Sequence, residues 1–256
     1  MSTRFDYCIH GPETGDWITF SHPVGSSLDI WAGQIEAFSR RHRVLTYNTR
    51  GHGKDRPNET HCNVDDLASD VLELWRHLSI ERSHFVGLSL GGCVGVALAH
   101  RAPQSVQSLA VVNARLEIDA DGAGMWLQRA QTVEQQGLAP ILAPMLERWL
   151  TPAFMAEQPT QVERVSQTVL ATSPNGFAAC CRALAAMHQE HRLAGLQVPT
   201  LLVTGLSDKA IPSTMVEHYA RQNPSFELAT LQGPHILNLE NPTAFNRTVL
   251  DFIERH

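Results

Sequence analysis

The stretch "HFVGLSLGGCVG", residues 84–95, places one serine between two glycines inside an otherwise apolar segment. Gly87 and Gly91 each lie two residues from Ser89, so the stretch has the form G-x-S-x-G. The apolar residues before and after the serine predict a strand, a sharp turn and a helix. A serine at such a turn is either a helix-start residue or a nucleophile, and the rest of the chain decides between them.

The two glycines have a steric explanation. A strand that turns abruptly into a helix brings backbone close to the turn and gives the serine strained torsions, so side chains at 87 and 91 would collide there. The turn would place Ser89 Oγ above the sheet and the helix N-terminus beneath it. The backbone N–H of Leu90 would then point to where negative oxygen develops when a serine attacks a carbonyl.

Short β-like runs alternate with amphipathic helical stretches along most of the chain. The predicted strands are residues 17–22, 43–48, 84–88, 106–113, 200–205 and 226–231, and the predicted helices include 63–78, 90–101, 213–223 and 242–255. Asn63 is the expected N-cap of the first of these helices, with Asp65 and Asp66 in its first turn. This alternation predicts an α/β fold with a mostly parallel central sheet flanked by helices.

Residues 115–190 interrupt the alternation, because they contain several helical patterns separated by prolines and no predicted strand. We interpret this segment as a helical cap (lid) inserted into the α/β core, placed over the active edge of the sheet. The expected organisation is therefore a core formed by 1–114 and 191–256 and a cap formed by 115–190. Extra packing without a functional role is the alternative for the inserted helices.

Composition restricts the class of protein. The chain has 256 residues, 43% hydrophobic content and a net charge of −6, with no long basic run, so neither nucleic-acid nor membrane binding is expected. Five cysteines without framework spacing predict reduced thiols; the role of the adjacent Cys180 and Cys181 stays open. No secretory signal is recognisable at the N-terminus, which favours a cytoplasmic protein. His188 and His191 lack a third ligand, so surface histidines rather than a metal site are expected.

A serine nucleophile needs a base and an orienting carboxylate. Asp208 follows the predicted strand in "LLVTGLSDKAIP" (201–212), and His235 follows the next one in "LATLQGPHILNLENP" (228–242). The chain order serine, acid, histidine is the order that a G-x-S-x-G nucleophile requires. Both residues are expected at carboxyl ends of strands, where open α/β sheets bind ligands.

At this point the sequence resembles, along nearly its whole length, the 3-oxoadipate enol-lactone hydrolases of the α/β-hydrolase superfamily. The widely shared motifs are "YNTRGHGKD" (47–55), "GLSLGG" (87–92), "VPTLLVTGLSDKAIP" (198–212) and "HILNLENPTAFNRTVLDFI" (235–253). More specific to the family are "MWLQRA" (125–130), "ERWLTPAFM" (147–155) and "GFAACCRAL" (176–184). The resemblance implies the α/β-hydrolase fold, Ser89 as nucleophile, Asp208 as acid and His235 as base. It further implies hydrolysis of a small carboxylate-bearing enol lactone from aromatic catabolism (the β-ketoadipate pathway), without a cofactor.

Two stretches depart from the family pattern. In "FSHPVGSSLDIW" (20–31), Pro23 falls where the second N–H donor of the oxyanion hole, beside Leu90, is expected, and proline has no N–H. Either the loop is shifted, so that Val24 or His22 donates, or the hole has one donor; we favour Val24. In "GHGKD" (51–55), Lys54 replaces a usual small residue, and His52 is expected to be part of a tight turn.

A carboxylate-bearing substrate needs a cation, because desolvating an unpaired carboxylate is costly. Arg129 lies one helical turn after Trp126, so the arginine can pair with the carboxylate while the tryptophan packs the ring. Alternatives remain: a related hydrolase acting on another small ester, amide, carbamate or C–C bond, or a noncatalytic ligand-binding homologue. The expected partner is a small molecule, and the sequence leaves monomer and homodimer equally open.

The triad assignment predicts the behaviour of three variants. Ser89→Ala, His235→Ala and Asp208→Asn should each lower kcat by several orders of magnitude, and their losses should not add, because the three groups act as one unit. Steady-state kinetics of the single and combined variants is the measurement. Turnover close to wild type in Ser89→Ala would refute the covalent mechanism.

Overall fold

The structure is a computed structural model that describes residues 5–53 and 61–256. Lys54, one of the two departures from the family pattern, lies outside the described residues. No helix within the described ranges is both long and apolar enough to cross a lipid bilayer.

Seven strands form one sheet in the described part of the chain, in the order β1-β3-β2-β4-β5-β6-β7. They are β1 (Tyr7–His10), β2 (Trp17–Ser21), β3 (Arg43–Tyr47), β4 (Ser83–Leu88), β5 (Val106–Val112), β6 (Thr200–Gly205) and β7 (Glu227–Leu231). β1 runs antiparallel to β3, and all other neighbours are parallel. The expected mostly parallel sheet is confirmed. The sequence interpretation missed β1, because this four-residue edge strand is partly exposed and has no buried apolar run.

The helices follow the strands as an α/β fold requires. They are a 3₁₀ turn at Leu28–Trp31, then α1 (Ala32–Phe38), α2 (Val64–His77), α3 (Leu90–Arg101), α4 (Ala120–Gln136), α5 (Ala139–Trp149), α6 (Pro152–Glu157), α7 (Pro159–Ala171), α8 (Pro174–Ala185), α9 (Glu190–Leu193), α10 (Ser213–Ala220), α11 (Leu237–Glu240) and α12 (Pro242–Ile253). Asn63 caps α2 as expected: its side chain accepts from Asp66 N–H, and the Asp66 carboxylate accepts from Asn63 N–H.

The central strands carry the core. Every residue of β4 and of β6 is buried, because helices cover both faces of the sheet there. α3, which follows Ser89, is buried along nearly its whole length and is apolar on all sides, because it lies between the sheet and α2. The residue that joins β4 to α3 is therefore held from both directions.

The chain between β5 and β6 forms α4 to α9, as the interruption in the sequence pattern predicted. An isolated antiparallel bridge between Glu117 and His188 joins the two ends of this inserted segment. The bridge lies close to the limits of 115 and 190 that the sequence suggested, although the division into domains remains a prediction.

The helical insertion meets the core at a pair of glycines. Gly51, with φ of 78°, follows β3, and Gly176 lies in the first turn of α8. A Cβ added to Gly176 would come within 2.3 Å of Gly51 Cα, so the two backbones are in direct contact. Nearby, Phe177 of α8 packs so close to Gly25 that a Cβ there would lie 2.7 Å from its ring. Helix α8 therefore rests on two loops of the core.

Gly176→Ala should lower the free energy of unfolding by about 1–3 kcal/mol, because neither backbone can yield to the added methyl group without moving α8. Denaturant unfolding measures the effect. Gly124→Ala is the matched control, since a Cβ at Gly124 in α4 meets nothing within 4 Å. That change should be neutral or stabilising by up to about 1 kcal/mol. Equal effects of the two substitutions would contradict the contact.

Candidate active site

Ser89 is the residue at which β4 turns into α3. Its φ of 56° places a non-glycine residue in the left-handed region, which costs energy and persists only where the surroundings hold it. Ser89 N–H donates to Val112 O of β5 at 2.8 Å, and Ser89 O accepts from Cys93 N–H of α3 at 3.1 Å. The neighbouring strand and the following helix thus both fix the turn.

The flanking glycines are required by backbone on either side. A Cβ on Gly87 would lie 2.1 Å from Gly91 O, and a Cβ on Gly91 would lie 2.1 Å from Ser21 O of β2. No side chain fits at such distances. The steric reason given for the G-x-S-x-G spacing is therefore present in the structure.

Asp208 and His235 meet at the carboxyl ends of β6 and β7. His235 Nδ1–H donates to Asp208 Oδ2 at 2.8 Å, and both side chains are buried. Asp208 Oδ1 accepts two further bonds, from Ala210 N–H at 2.6 Å and from Ile211 N–H at 3.0 Å. The carboxylate is held from three directions, and it fixes the histidine in the tautomer whose Nε2 can accept a proton.

Ser89 and His235 line the same cavity, but no hydrogen bond joins them in the described structure. Catalytic hydrogen bonds often form fully only when substrate is bound, so the separation is compatible with a nucleophile and its base. The structure brings the acid and the histidine into contact and places the serine and the histidine in the wall of one cavity.

Asn113 is a residue of this site that sequence reasoning missed. It follows β5 with φ of 44°, and its side chain is fully buried. Its Nδ2 donates to Pro234 O at 3.1 Å and to His235 O at 2.9 Å, while its Oδ1 accepts from Gly205 N–H at 2.9 Å. The end of β5 is thus tied to the segments that carry the acid and the histidine. Asparagine at a strand end, a position that tolerates left-handed backbone, was the available signal.

The loop formed by residues 22–26 lies beside Ser89 and contains the proline that departs from the family pattern. Pro23 O accepts from Ser26 N–H at 3.2 Å, and Gly25 N–H donates to His52 Nε2 at 2.8 Å. Val24 lines the cavity, and its N–H donates to no acceptor among the described residues. Val24 N–H is therefore free to bind a ligand atom, as is Leu90 N–H in the first turn of α3.

Two buried histidines hold this loop. His22 Nδ1–H donates to Pro23 O at 2.8 Å and its Nε2 accepts from Thr49 N–H at 3.0 Å. His52 Nδ1–H donates to Arg50 O at 3.2 Å, and its Nε2 accepts from Gly25. Burial lowers the pKa of His22 to about 3 and that of His52 to about 4, so both rings are neutral acceptors near neutral pH. His52, expected only to sit in a turn, in fact orients loop 22–26.

The cavity has a volume of about 360 Å³ and opens between the core and the inserted helices. Its apolar wall comes from α4, α5 and α8 and from the core loops: Val24, Ile118, Met125, Trp126, Met145, Trp149, Leu184, Met187, Ala210 and Ile211. A cavity of this size suits a small molecule, as expected for an enzyme of small substrates.

Three arginines, Arg115, Arg129 and Arg148, also line this cavity. Arg129 Cζ lies 4.8 Å from the centre of the Trp126 ring, as the predicted shared helix face requires. Burial lowers the pKa of Arg129, and the neighbouring positive charge of Arg148 adds to this effect. No carboxylate of the described residues forms an ion pair with any of the three arginines, and Arg115 Nε is buried without a partner. Sequence reasoning found Arg129 but missed the other two.

Cys93, which lines the cavity, and Cys181 are not alternative nucleophiles. Burial raises the pKa of both Cys93, four residues after Ser89, and Cys181 of α8 to about 12, so both remain protonated thiols at neutral pH.

His188 hydrogen-bonds Glu117, and His191 is exposed. The described residues contain no group of three or more His, Cys, Asp or Glu placed to hold a metal ion.

A family model described as alpha/beta hydrolase fold matches residues 16–242. The chain belongs to the α/β-hydrolase fold family. Among curated relatives of this α/β-hydrolase, 3-oxoadipate enol-lactonase 2 of Acinetobacter baylyi is 33% identical over 255 residues, covering 100% of this chain and 95% of the relative. 3-Oxoadipate enol-lactonase 1 of the same organism is 30% identical, covering 96% and 91%.

A crystal structure of the enol-lactonase from Burkholderia xenovorans LB400 superimposes with a TM-score of 0.94 at 32% identity, covering 98% of this chain and 96% of that one. The resemblance stated from the sequence motifs is confirmed, and so is the expectation of an ester-hydrolysing enzyme.

The lowered pKa of His52 predicts a pH dependence of stability. Because unfolded His52 has a pKa near 6.5, the unfolded chain binds a proton between about pH 6.5 and 4 that the folded chain does not. The contribution of His52 is thus complete above pH 6.5 and is lost by about 1.4 kcal/mol per pH unit as pH falls. His52→Gln keeps an oxygen that can accept from Gly25 N–H but does not titrate. Urea unfolding between pH 6 and 4.5 should show a shallower decline for this variant, and an unchanged slope would contradict the assignment.

Proposed function

We propose that this α/β-hydrolase opens a small carboxylate-bearing enol lactone through an acyl-enzyme intermediate formed on Ser89. The observation that carries the proposal is the set of three arginines in the cavity that also contains Ser89 and His235. Asp119 and Asp121 line the same cavity, but neither forms an ion pair with any of the three arginines, and Asp119 instead caps α4 by accepting from Gly122 N–H. Partly buried guanidinium groups without acidic partners favour an anionic ligand, because a carboxylate would offset the cost of removing them from water.

The proposed reaction begins with attack by Ser89 Oγ on the lactone carbonyl. His235 Nε2 takes the serine proton, while Asp208 holds Nδ1–H and stabilises the resulting imidazolium. The bond between the carbonyl carbon and the ring oxygen then breaks. The leaving enol oxygen receives the proton from His235 and remains attached to the acyl chain, because the substrate is cyclic. Water, deprotonated by His235, next attacks the acyl-enzyme, and Ser89 leaves with the proton.

The negative oxygen of both tetrahedral intermediates would be bound by Leu90 N–H and Val24 N–H. Support for Val24 comes from its neighbours: Pro23 has no N–H, and those of Gly25 and Ser26 are already bound. Two donors fixed before the reaction stabilise the developing charge without reorganisation, and losing one typically costs about 3–4 kcal/mol. Pro23 would then not weaken the oxyanion hole, since the second N–H donor, Val24, lies one residue later.

The substrate carboxylate would bind to Arg129 and Arg148, whose charges act on each other. Trp126 supplies an aromatic surface beside Arg129, against which a flat five-membered ring can pack. The carboxylate would thereby fix the lactone carbonyl relative to Ser89, and binding energy away from the reacting bond would be used for orientation.

The proposal predicts turnover of 3-oxoadipate enol-lactone and a charge-specific effect of Arg129→Ala. The variant should raise KM for the enol lactone by about ten- to hundredfold, since a hydrogen-bonded ion pair contributes about 1.5–3 kcal/mol. Its KM for an uncharged ester of similar size should change little. Spectrophotometric lactonase and esterase assays measure both values, with Arg164→Ala, at an exposed position on α7, as the matched control.

The assay also separates the alternatives. Labelling of Ser89 by a fluorophosphonate with no turnover of the enol lactone would indicate a hydrolase for another small ester, amide or carbamate. Absence of labelling would indicate a noncatalytic ligand-binding protein. An unchanged KM for the enol lactone in Arg129→Ala would refute the assigned anion site.

A further inference from the structure

Two chain segments that leave the cavity wall are joined by three hydrogen bonds. Thr151 N–H donates to Glu240 Oε1 at 2.7 Å, and the Thr151 hydroxyl donates to Glu240 Oε2 at 2.8 Å. Ile236 N–H donates to Trp149 O at 3.1 Å. We call these three contacts the 151–240 clamp. Both carboxylate oxygens of Glu240 are directed at a single residue of the inserted helices.

The clamp joins two chain segments that each follow residues of the cavity wall. Arg148 and Trp149, which line the cavity, are the last residues of α5, and only Leu150 separates Trp149 from Thr151. His235 directly precedes the segment that carries Glu240. The clamp therefore fixes the end of α5 relative to the histidine loop.

Helix α11, which ends at Glu240, is itself fixed to the core. Asn238 Nδ2 donates to Ile30 O at 2.9 Å and to Gln34 Oε1 at 3.0 Å. Gln34 Nε2 donates back to Asn238 O at 3.1 Å. Asn238 and Glu240 belong to the same short helix. Thr151, which is bound to Glu240, is therefore held in place relative to the core residues that bind Asn238.

Burial makes the charged form of Glu240 less favourable than it would be in water. Burial raises the pKa of its carboxyl, and the hydrogen bonds from Thr151 only partly oppose this effect. No cation of the described residues forms an ion pair with Glu240. The carboxylate is therefore bound by the backbone N–H and the hydroxyl of Thr151. A half-buried carboxylate whose two oxygens both accept from one residue holds that residue in a fixed position.

We propose that Glu240 is a positioning residue that sets the distance between Arg148 and His235, and thereby the preference of the enzyme for carboxylate-bearing esters. The inference rests on the proposed function, because it presupposes that Arg148 helps to bind the substrate carboxylate. An ester with a carboxylate needs this distance to be correct for the anion and the carbonyl simultaneously. An uncharged ester needs only Ser89, His235 and the N–H donors, so it should be insensitive to the clamp.

The test compares 4-nitrophenyl hydrogen succinate with 4-nitrophenyl butyrate, which share leaving group and chain length and differ in one carboxylate. Glu240→Ala should raise KM for the succinate ester about tenfold, which corresponds to about 1.4 kcal/mol, with a smaller change in kcat. KM for the butyrate ester and the rate of fluorophosphonate labelling of Ser89 should stay within about threefold of wild type. Glu240→Gln, which keeps an acceptor for Thr151 N–H, should give an intermediate KM for the succinate ester.

Glu157→Ala removes an exposed carboxylate at the end of α6 and is the matched control for the loss of charge. Thermal unfolding of each variant checks that it is folded at the assay temperature. Retention of the wild-type preference for the succinate ester in Glu240→Ala would overturn the inference while leaving the proposed function intact. Equal losses on both esters and in labelling would also overturn it, since Glu240 would then support His235 itself. A wild-type enzyme with no preference for the succinate ester would refute both the anion site and the clamp's role.

Discussion

The rest of the site depends on the strained turn at Ser89, which β4 and α3 impose together. A left-handed serine is stable there only because β5 binds its N–H, α3 binds its carbonyl and no side chain intrudes from positions 87 and 91. The same turn starts a buried helix whose first N–H groups have no intrahelical acceptor. One local constraint thus fixes the candidate nucleophile at the end of β4 and places the first N–H groups of α3 next to it.

Around this turn, neutral polar groups fix the backbone of the loops beside Ser89. His22 and His52 accept N–H groups from Thr49 and Gly25, and burial keeps both rings uncharged for this purpose. Asn113 likewise fixes backbone near His235: its side chain joins the end of β5 to Pro234, His235 and Gly205. Buried polar groups that are fully satisfied in this way give a single geometry, which is what preorganised catalysis requires.

The inserted helices contribute two of the three arginines that line the cavity. Arg129 and Arg148 come from α4 and α5, while the candidate nucleophile and base come from the core, so the cavity combines the two parts of the chain. Close glycine contacts below α8 and the hydrogen bonds of Glu240 beside α5 hold these helices against the core. Chemistry and recognition can therefore be set by different segments, as is common where loops and insertions on a rigid sheet carry specificity.

The sequence by itself determined the α/β class, six of the strands, the helical interruption and the candidate residues Ser89, Asp208 and His235, because periodicity and motif spacing are local properties. It did not reveal β1, whose short exposed run has no periodic signal. Nor did it reveal that His52 binds Gly25, that Asn113 binds the histidine loop, or that Arg115 and Arg148 join Arg129 in one cavity. Those relations join residues distant in the chain, and only the tertiary structure decides which buried donors and acceptors meet.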